Sequence, residues 1–393
     1  MKLTHVNHSS LIFETENDLM LSDPWLFSNA FQGWSQYPYP NLKDVKKIFG
    51  VNSKLSIVLI SHAHDDHLDD IFLSKISDEI KVVIPKTNNL GFKKRIIKSG
   101  IKDSNIIEID EKPRKVGSLY ISSISDGSLS SEDFIFLIFN SNEVVIHAND
   151  NWHVFKDRTI DYINNFKIKF NAQKLILMTQ VGIADSFPLF YKNLEPLQKK
   201  QLIRNKIELM CKSLIQNSKN ICSSIGYAYA NQSKFNSDIL DSLGLNFDPY
   251  NLRKEIIKNF SNSIIQLYPS DQIIDGNYKK FTNKKETLMQ HRLENLNKSF
   301  LNYSSSKNLE ILPINFLTME KQSYNQDQIN IFAKDNVWND ILSGVCNLEA
   351  IITGGLGLIE KPSDYNMRKE YLLLSNWAYI HQKKAQNDLT CAF

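Results

Sequence analysis

Ten consecutive residues, Ile60-Ser61-His62-Ala63-His64-Asp65-Asp66-His67-Leu68-Asp69, hold the densest cluster of metal-binding groups in this chain. Three of its nine histidines lie here. Imidazole nitrogens and carboxylate oxygens together bind borderline divalent ions such as zinc, iron and manganese. In the H-x-H spacing, His62 and His64 can reach one ion from the same side, because alternate residues of an extended segment share a face. Asp66 and His67 then curl round toward a second ion. A solvated histidine-rich turn is the competing reading, and it gives no cause for clustering so scarce a residue.

Convergence of this kind needs a rigid support. The apolar run "SIVLI" just before the cluster reads as a buried strand, which places the histidines on a loop at a sheet edge. "LIFET" and "LMLSD", separated by "END", read as an antiparallel pair, and "FIFLIF" and "EVVIHA", joined by "NSN", read as a hairpin. "KVVIP", "NIIEI" and "LYISSI" add strands, with helices near 69–78 and 88–99. Later strands are expected at "KLILMT" (174–179), "NICSSIGYA" (220–228) and "SIIQLYP" (263–269). Between them Leu202, Ile203, Ile207, Met210, Leu214 and Ile215 recur at helical spacing, the pattern of an amphipathic helix laid over a sheet. The mixture implies a layered α/β or α+β core.

A length of 393 residues suggests two units, a domain over 1–275 and a mainly helical extension over 276–393 packing on it. "KKETLMQHRLENLNKSFLNYSS" is the clearest polar helix of that extension, and "INIFA" its one strand. Net charge is +3 with only short basic runs, so no nucleic-acid partner is expected. No run of about 18 apolar residues marks a membrane span, and "MKLTHVNHSS" has no apolar signal region. Cys211, Cys222, Cys346 and Cys391 form no C-x-x-C pair, which fits a reducing, cytoplasmic setting. "GGLG" near the end lacks the spacing and lysine of a phosphate loop.

The pattern H-x-H-x-D-H, met by His62, His64, Asp66 and His67 after an apolar strand, resembles the metal-binding signature of the metallo-β-lactamase superfamily. The resemblance implies an α/β four-layer αββα sandwich. "THVNHSSLIFETENDLMLSDPWL" is similar to the opening strands of that fold; it puts Asp23 at a supporting position and His8 close to the metal pocket, where it would orient a ligand. "VVIHAND" resembles the strand leading to the metal-bridging aspartate, which implies that role for Asp150 and places His147 inside the site. The family's third ligand should fall between His67 and His147, where this chain has no histidine; Asp126 in "SISDGS" is the nearest candidate and Glu132 the runner-up. The family's last histidine is also absent near "SSIGYAYANQSK", and His291 and His381, further on, read as surface or packing residues. More narrowly, "PWLFSNAFQGWSQYPYP", "VGIADSFPLFY", "LYPSD" and "KPSDY" look like the subgroup related to CMP-N-acetylneuraminate hydroxylase.

The implied cofactors are two divalent ions, zinc or iron with manganese as a third option, and the candidate catalytic residues are Asp66, His8 and His147. A hydrolase using metal-activated water on a small-molecule substrate is the first expectation. A diiron oxygenase is the alternative; it would need an external reductase, since the C-x-H and C-x-x-H ligand pairs of a Rieske centre are missing. A non-catalytic protein on a decayed site is the third. The substrate's identity and the oligomeric state leave no mark on the sequence.

Overall fold

The computed structural model describes residues 1–49, 53–127, 133–183, 186–223, 225–230, 233–235, 243–245, 247–281, 309–311, 330–343 and 349–360. Two mixed sheets lie face to face. The first has eight strands, in the order Asn277–Lys279, Gln272–Ile274, Lys2–Asn7, Ser10–Glu14, Leu19–Ser22, Leu55–Leu59, Lys81–Pro85 and Ile106–Ile109. Its first half is antiparallel, and it turns parallel from Leu19–Ser22 onward. The second has seven, in the order Ile264–Gln266, Gly226–Tyr229, Lys174–Gln180, Glu143–His147, Phe134–Asn140, Leu119–Ser125 and Arg114–Val116, parallel at one side and antiparallel at the other.

Between the sheets, Leu11, Phe13, Met20, Ile57, Leu59 and Val83 of the first meet Ile121, Phe136, Ile138, Val145, Ile176 and Met178 of the second. Outside the first sheet, Ile12, Leu21, Val58 and Val82 pack under Ile48, Phe72, Phe92 and Ile96 of three helices, Leu42–Phe49, Asp70–Leu73 and Leu90–Lys98. Outside the second, the helices Asp157–Lys169, Pro196–Asn220 and Pro249–Lys258 contribute Ile163, Phe166, Ile203, Ile207, Met210, Leu214, Leu252 and Ile256. Strands buried on both faces explain the unbroken apolar runs such as "FIFLIF". The result is the four-layer αββα sandwich of the metallo-β-lactamase fold.

Both expected hairpins form, Leu11 pairing with Ser22 and Phe139 with Val144. One expected strand does not begin where it was placed. The helix Pro196–Asn220 ends at the first residue of "NICSSIGYA", the chain turns through Cys222 (φ 57°), and the strand starts only at Gly226. The long helix, opened by Pro196 and the Glu195/Gln198 capping box, runs to Asn220 and caps at Ile221, so the first letters that read as strand belong to its end.

Among the described residues beyond 275, Asn277–Lys279 returns to pair with Gln272–Ile274, a hairpin that crosses the expected boundary. Leu309–Ile311, Asn330–Lys334 and Gly357–Glu360 form a separate three-stranded antiparallel sheet, accompanied by the helices Asp335–Ser343 and Glu349–Ile352. The polar helix expected around 284–305, with His291, and the segment carrying His381 lie outside the described residues. No helix among the described residues is long and apolar enough to cross a membrane.

This small sheet is joined to the sandwich by backbone. Lys192 N donates to Ile359 O at 2.7 Å and Ile359 N to Phe190 O at 2.9 Å. Trp34, fully buried at the start of the short strand Trp34–Gln36, donates its indole N–H to Thr353 O at 2.8 Å. Gly33 and Gly354 meet there, and a Cβ on Gly354 would overlap the Phe31 carbonyl and come within 2.6 Å of Ala350 O. Gly354→Ala is therefore expected to lower stability by about 2 kcal/mol, the scale of overpacking at a closed contact. Thermal unfolding of the full chain checks this, and an unchanged midpoint would mean the two backbones are not held so close.

Candidate metal centre

The loop after Leu55–Leu59 carries the histidine cluster at the end of the first sheet's parallel strands. His67 N and Leu68 N both donate to His64 O, and this turn curls the loop back on itself. Asp69 accepts from Phe72 N with one carboxylate oxygen, capping the short helix Asp70–Leu73, and from Leu26 N, Phe27 N and Ser28 N with the other. Arg95 ties down the outside of the loop through Asp70, Asp65 and the carbonyl of Ala63. These anchors fix which way the histidines face.

Two groups of possible ligands result. His8, Asp66 and His67 form one, wholly buried; His62, His64 and Asp150 form the other, in which His64 and Asp150 are partly exposed. In the first group His8 Nε2 lies 3.0 Å and His67 Nε2 3.5 Å from Asp66 Oδ2. In the second, His62 Nε2 lies 2.9 Å from His64 Nδ1 and 3.5 Å from Asp150 Oδ2. The other oxygen of Asp150, Oδ1, is 3.7 Å from His67 Nε2. Asp150 thus presents one oxygen to each group, the arrangement a bridging carboxylate requires.

The far side of each histidine is also arranged. His67 Nδ1 lies 3.3 Å from both Ser9 Oγ and Ser61 Oγ and 3.6 Å from Asp23 Oδ1. His62 Nδ1 lies 3.0 Å from Ser61 Oγ. Holding Nδ1 in this way turns Nε2 toward the centre, as partners behind metal-bound imidazoles do. Meanwhile His67 Nε2 and Asp66 Oδ1 are buried with no hydrogen-bond partner. An unpartnered buried polar atom costs about 1–3 kcal/mol, and two of them facing one cluster fit divalent cations. Ring contacts close the cluster off, with Trp25 edge-on to His8 at 5.0 Å and Phe31 edge-on to His64 at 5.9 Å.

Charge is unevenly distributed. Burial opposes a charged His67, but the carboxylates of Asp66, Asp150 and Asp23 outweigh it and raise its pKa to about 10. Burial, with His67 and His64 nearby, holds His62 well below its usual value. Burial pushes Asp150 up to about 6, with Asp66 and Asp23 adding to the rise and His67 opposing it. Burial alone would raise Asp66, yet His67 and His8 bring it below the ordinary carboxylate range. The centre thus attracts positive charge most strongly at the point where the two groups meet.

Asp23 stands behind both groups. Its Oδ1 accepts from Ser61 N at 2.7 Å, and its Oδ2 accepts from Asn149 Nδ2 at 2.8 Å and lies 2.7 Å from His147 Nε2. The structure therefore places His147 in the supporting layer. It is fully buried, and its remaining nitrogen, Nδ1, is 2.7 Å from the Tyr229 hydroxyl, so neither ring nitrogen is left to act on a substrate. Burial pulls His5 down to about 4, with Nε2 2.9 Å from His8 O. Backbone conformations rare outside glycine collect here, at His8 (φ 47°), Asp23 (φ 41°), Asn149 (φ 47°) and Ala230 (φ 55°).

Asp126, expected as the third-motif ligand, belongs to neither group. Its Oδ1 accepts from Lys156 N at 3.0 Å and from Thr159 Oγ1 at 2.5 Å, tying the strand Leu119–Ser125 to the start of the helix Asp157–Lys169. Glu132 lies outside the described residues. His8, just past the end of the first strand, faces Asp66 from far away in the sequence. Asp69, Tyr229, Asn149 and Arg95 went unnoticed in the sequence. Only Asp69 had a local signal, as an aspartate directly before a short apolar helix.

The layers and this paired ligand set define a metallo-β-lactamase fold with residues able to hold metal ions. Residues 2–165 match the model of the beta-lactamase superfamily domain. Over 110 residues, 27% of this chain, it is 30% identical to the cytidine monophosphate-N-acetylneuraminic acid hydroxylase of Xenopus laevis, a match spanning 18% of that protein's length. Among solved structures it is similar to the isothiocyanate hydrolase from Delia radicum gut bacteria, with a TM-score of 0.44 and 12% identity over 70% of this chain and 99% of that one. It is also similar to CmlA, a diiron β-hydroxylase from Streptomyces venezuelae, with a TM-score of 0.40 and 13% identity over 69% of this chain and 53% of that one.

Two substitutions separate the placements of His8 and Asp126. His8→Ala is expected to lower bound metal from about two ions per chain toward one, whereas Asp126→Ala should keep the wild-type content and lose about 1–3 kcal/mol of stability through the orphaned Lys156 N–H. Elemental analysis beside denaturant unfolding reads both, and loss of metal in Asp126→Ala would return that residue to the ligand set. Asp23→Asn, which leaves the ligands untouched, should weaken metal affinity by about 10–100-fold; competition with a chelator measures it, and unchanged affinity would reduce Asp23 to a packing role.

Proposed function

We propose that the protein is a metal-dependent hydrolase. Its two cations would be held by His62, His64 and Asp150 on the open side and by His8, Asp66 and His67 on the buried side, with Asp150 shared. The observation that carries this reading is the pair of ligand groups meeting at Asp150, with His67 Nε2 and Asp66 Oδ1 buried and unpartnered between them. When bound, divalent cations there supply a water ionised near neutral pH and polarise the ester, amide or phosphodiester under attack.

The chain's own residues do the rest. Ser9, Ser61 and Asp23 hold His67 in one orientation. His8 Nε2, 3.0 Å from Asp66 Oδ2, holds that carboxylate in one orientation. Trp25 and Phe31 stand against His8 and His64, which limits water around the cluster. A small-molecule substrate would enter on the side where His64 and Asp150 are partly exposed.

A second reading, an O2-activating diiron hydroxylase served by an external reductase, is favoured by one observation. The matched Xenopus laevis protein is a hydroxylase, and two nitrogens with one carboxylate in each group is also a donor set that non-haem iron takes. The full chain should be purified without added metal, analysed for its elements, and its visible spectrum recorded before and after reduction. Zinc or manganese with a featureless spectrum, and cleavage of a panel of esters and phosphodiesters lost at least 100-fold with chelator, is the expected result. About two irons per chain with absorption that bleaches on reduction would replace it with the hydroxylase. No metal, even after reconstitution, would sink both.

A further inference from the structure

Arg253, in the helix Pro249–Lys258, is 2% exposed, and its hydrogen bonds account for only part of the guanidinium. Nε donates to Val181 O, and Nη2 to Ala230 O at 3.3 Å. These carbonyls lie just past the C-terminal ends of two neighbouring parallel strands, Lys174–Gln180 and Gly226–Tyr229. Nη1 is buried and has no hydrogen-bond partner. Among the described residues, the groups that favour the charged guanidinium are Tyr250, Tyr268 and Cys211, with no carboxylate among them. A guanidinium shut away from water without an anion is costly to fold around, and the two N–H bonds of Nη1 are left to satisfy.

This guanidinium is close to the metal centre. Ala230, whose carbonyl it binds, donates its own N–H to His8 O at 2.8 Å, and both His8 and His5 lie within reach of its charge. Nδ2 and Oδ1 of Asn7, the residue before His8, are also buried without hydrogen-bond partners. In sheets with parallel strands, ligands settle in the crevice beyond the strands' C-terminal ends. An oxyanion is the group that both neutralises a guanidinium and accepts from its paired N–H bonds.

We propose that Arg253 receives an anionic group of the substrate, a carboxylate or a phosphate ester, through Nη1. The inference rests on the metal-dependent reading above, since it is the metal centre that makes this end of the sandwich the reacting end. The substrate is then an anion whose charged group lies on the Arg253 side of His8 and whose reacting bond lies at the ligand groups. Val181 and Ala230 hold the guanidinium in place, and Tyr250 and Tyr268 shield it without competing for the anion.

The test uses the metal-loaded full chain, with inorganic phosphate and acetate as probes in calorimetric titrations. The wild type is expected to bind at least one of them saturably. Arg253→Met should weaken that binding at least tenfold while metal content stays at the wild-type value, so the result does not depend on whether the metal reading survives. Tighter phosphate would indicate a phosphate ester, and tighter acetate a carboxylate. Should the methionine variant fail to fold, Arg253→Lys carries the test: it keeps the charge, loses the fork, and should bind at least threefold more weakly. Equal affinities in wild type and the folded variant, or no saturable binding of either anion by the wild type, would overturn the proposal.

Discussion

One buried carboxylate sets the terms for the rest of this molecule. Asp23 has no exposed surface and lies where the two sheets meet, its charge answered by Ser61 N, Asn149 Nδ2 and the imidazoles of His67 and His147. Burial alone would raise its pKa, yet His147 and His67 bring it well below the ordinary value. An ionised carboxylate this deep persists only when each lone pair has a donor. Those donors come from the histidine loop of the first sheet and from the end of Glu143–His147 in the second. Satisfying Asp23 therefore brings the two halves of the metal centre into register.

The centre was legible in the sequence to the extent that its ligands are neighbours along the chain. His62, His64, Asp66 and His67 occupy one loop, and their spacing shows the direction in which each can point. Asp150 was visible because "VVIHAND" resembles the strand that leads to the family's bridging aspartate. Asp126 sits at a strand end just as Asp150 does, but its side chain turns to the start of the helix Asp157–Lys169, and no pattern of residue types records that turn. The position of His8 beside Asp66 depends on how far the first strand extends beside the metal loop, a matter of sheet register.

The fold was read with similar unevenness. Runs such as "SIVLI" and "FIFLIF" announced buried strands because both their faces are covered. Ile221 and Cys222 misled because apolar residues just past a long amphipathic helix look the same as those that begin a strand. The sheet formed by Leu309–Ile311, Asn330–Lys334 and Gly357–Glu360 was beyond reach for another reason. Its strands are short and far apart in sequence, and what stabilises them is packing around Trp338, Ile341 and Ile351 rather than local preference.

The contact of Gly33 with Gly354 and the bond from Trp34 to Thr353 join residues more than 300 positions apart. The loop they brace is the one that sets Phe31 against His64. On the ribosome, every candidate metal ligand emerges before the segment that steadies this wall. A chain cut short before residue 350 would carry all of the metal-binding chemistry and lack the brace, so completion of synthesis is itself a condition for a finished site.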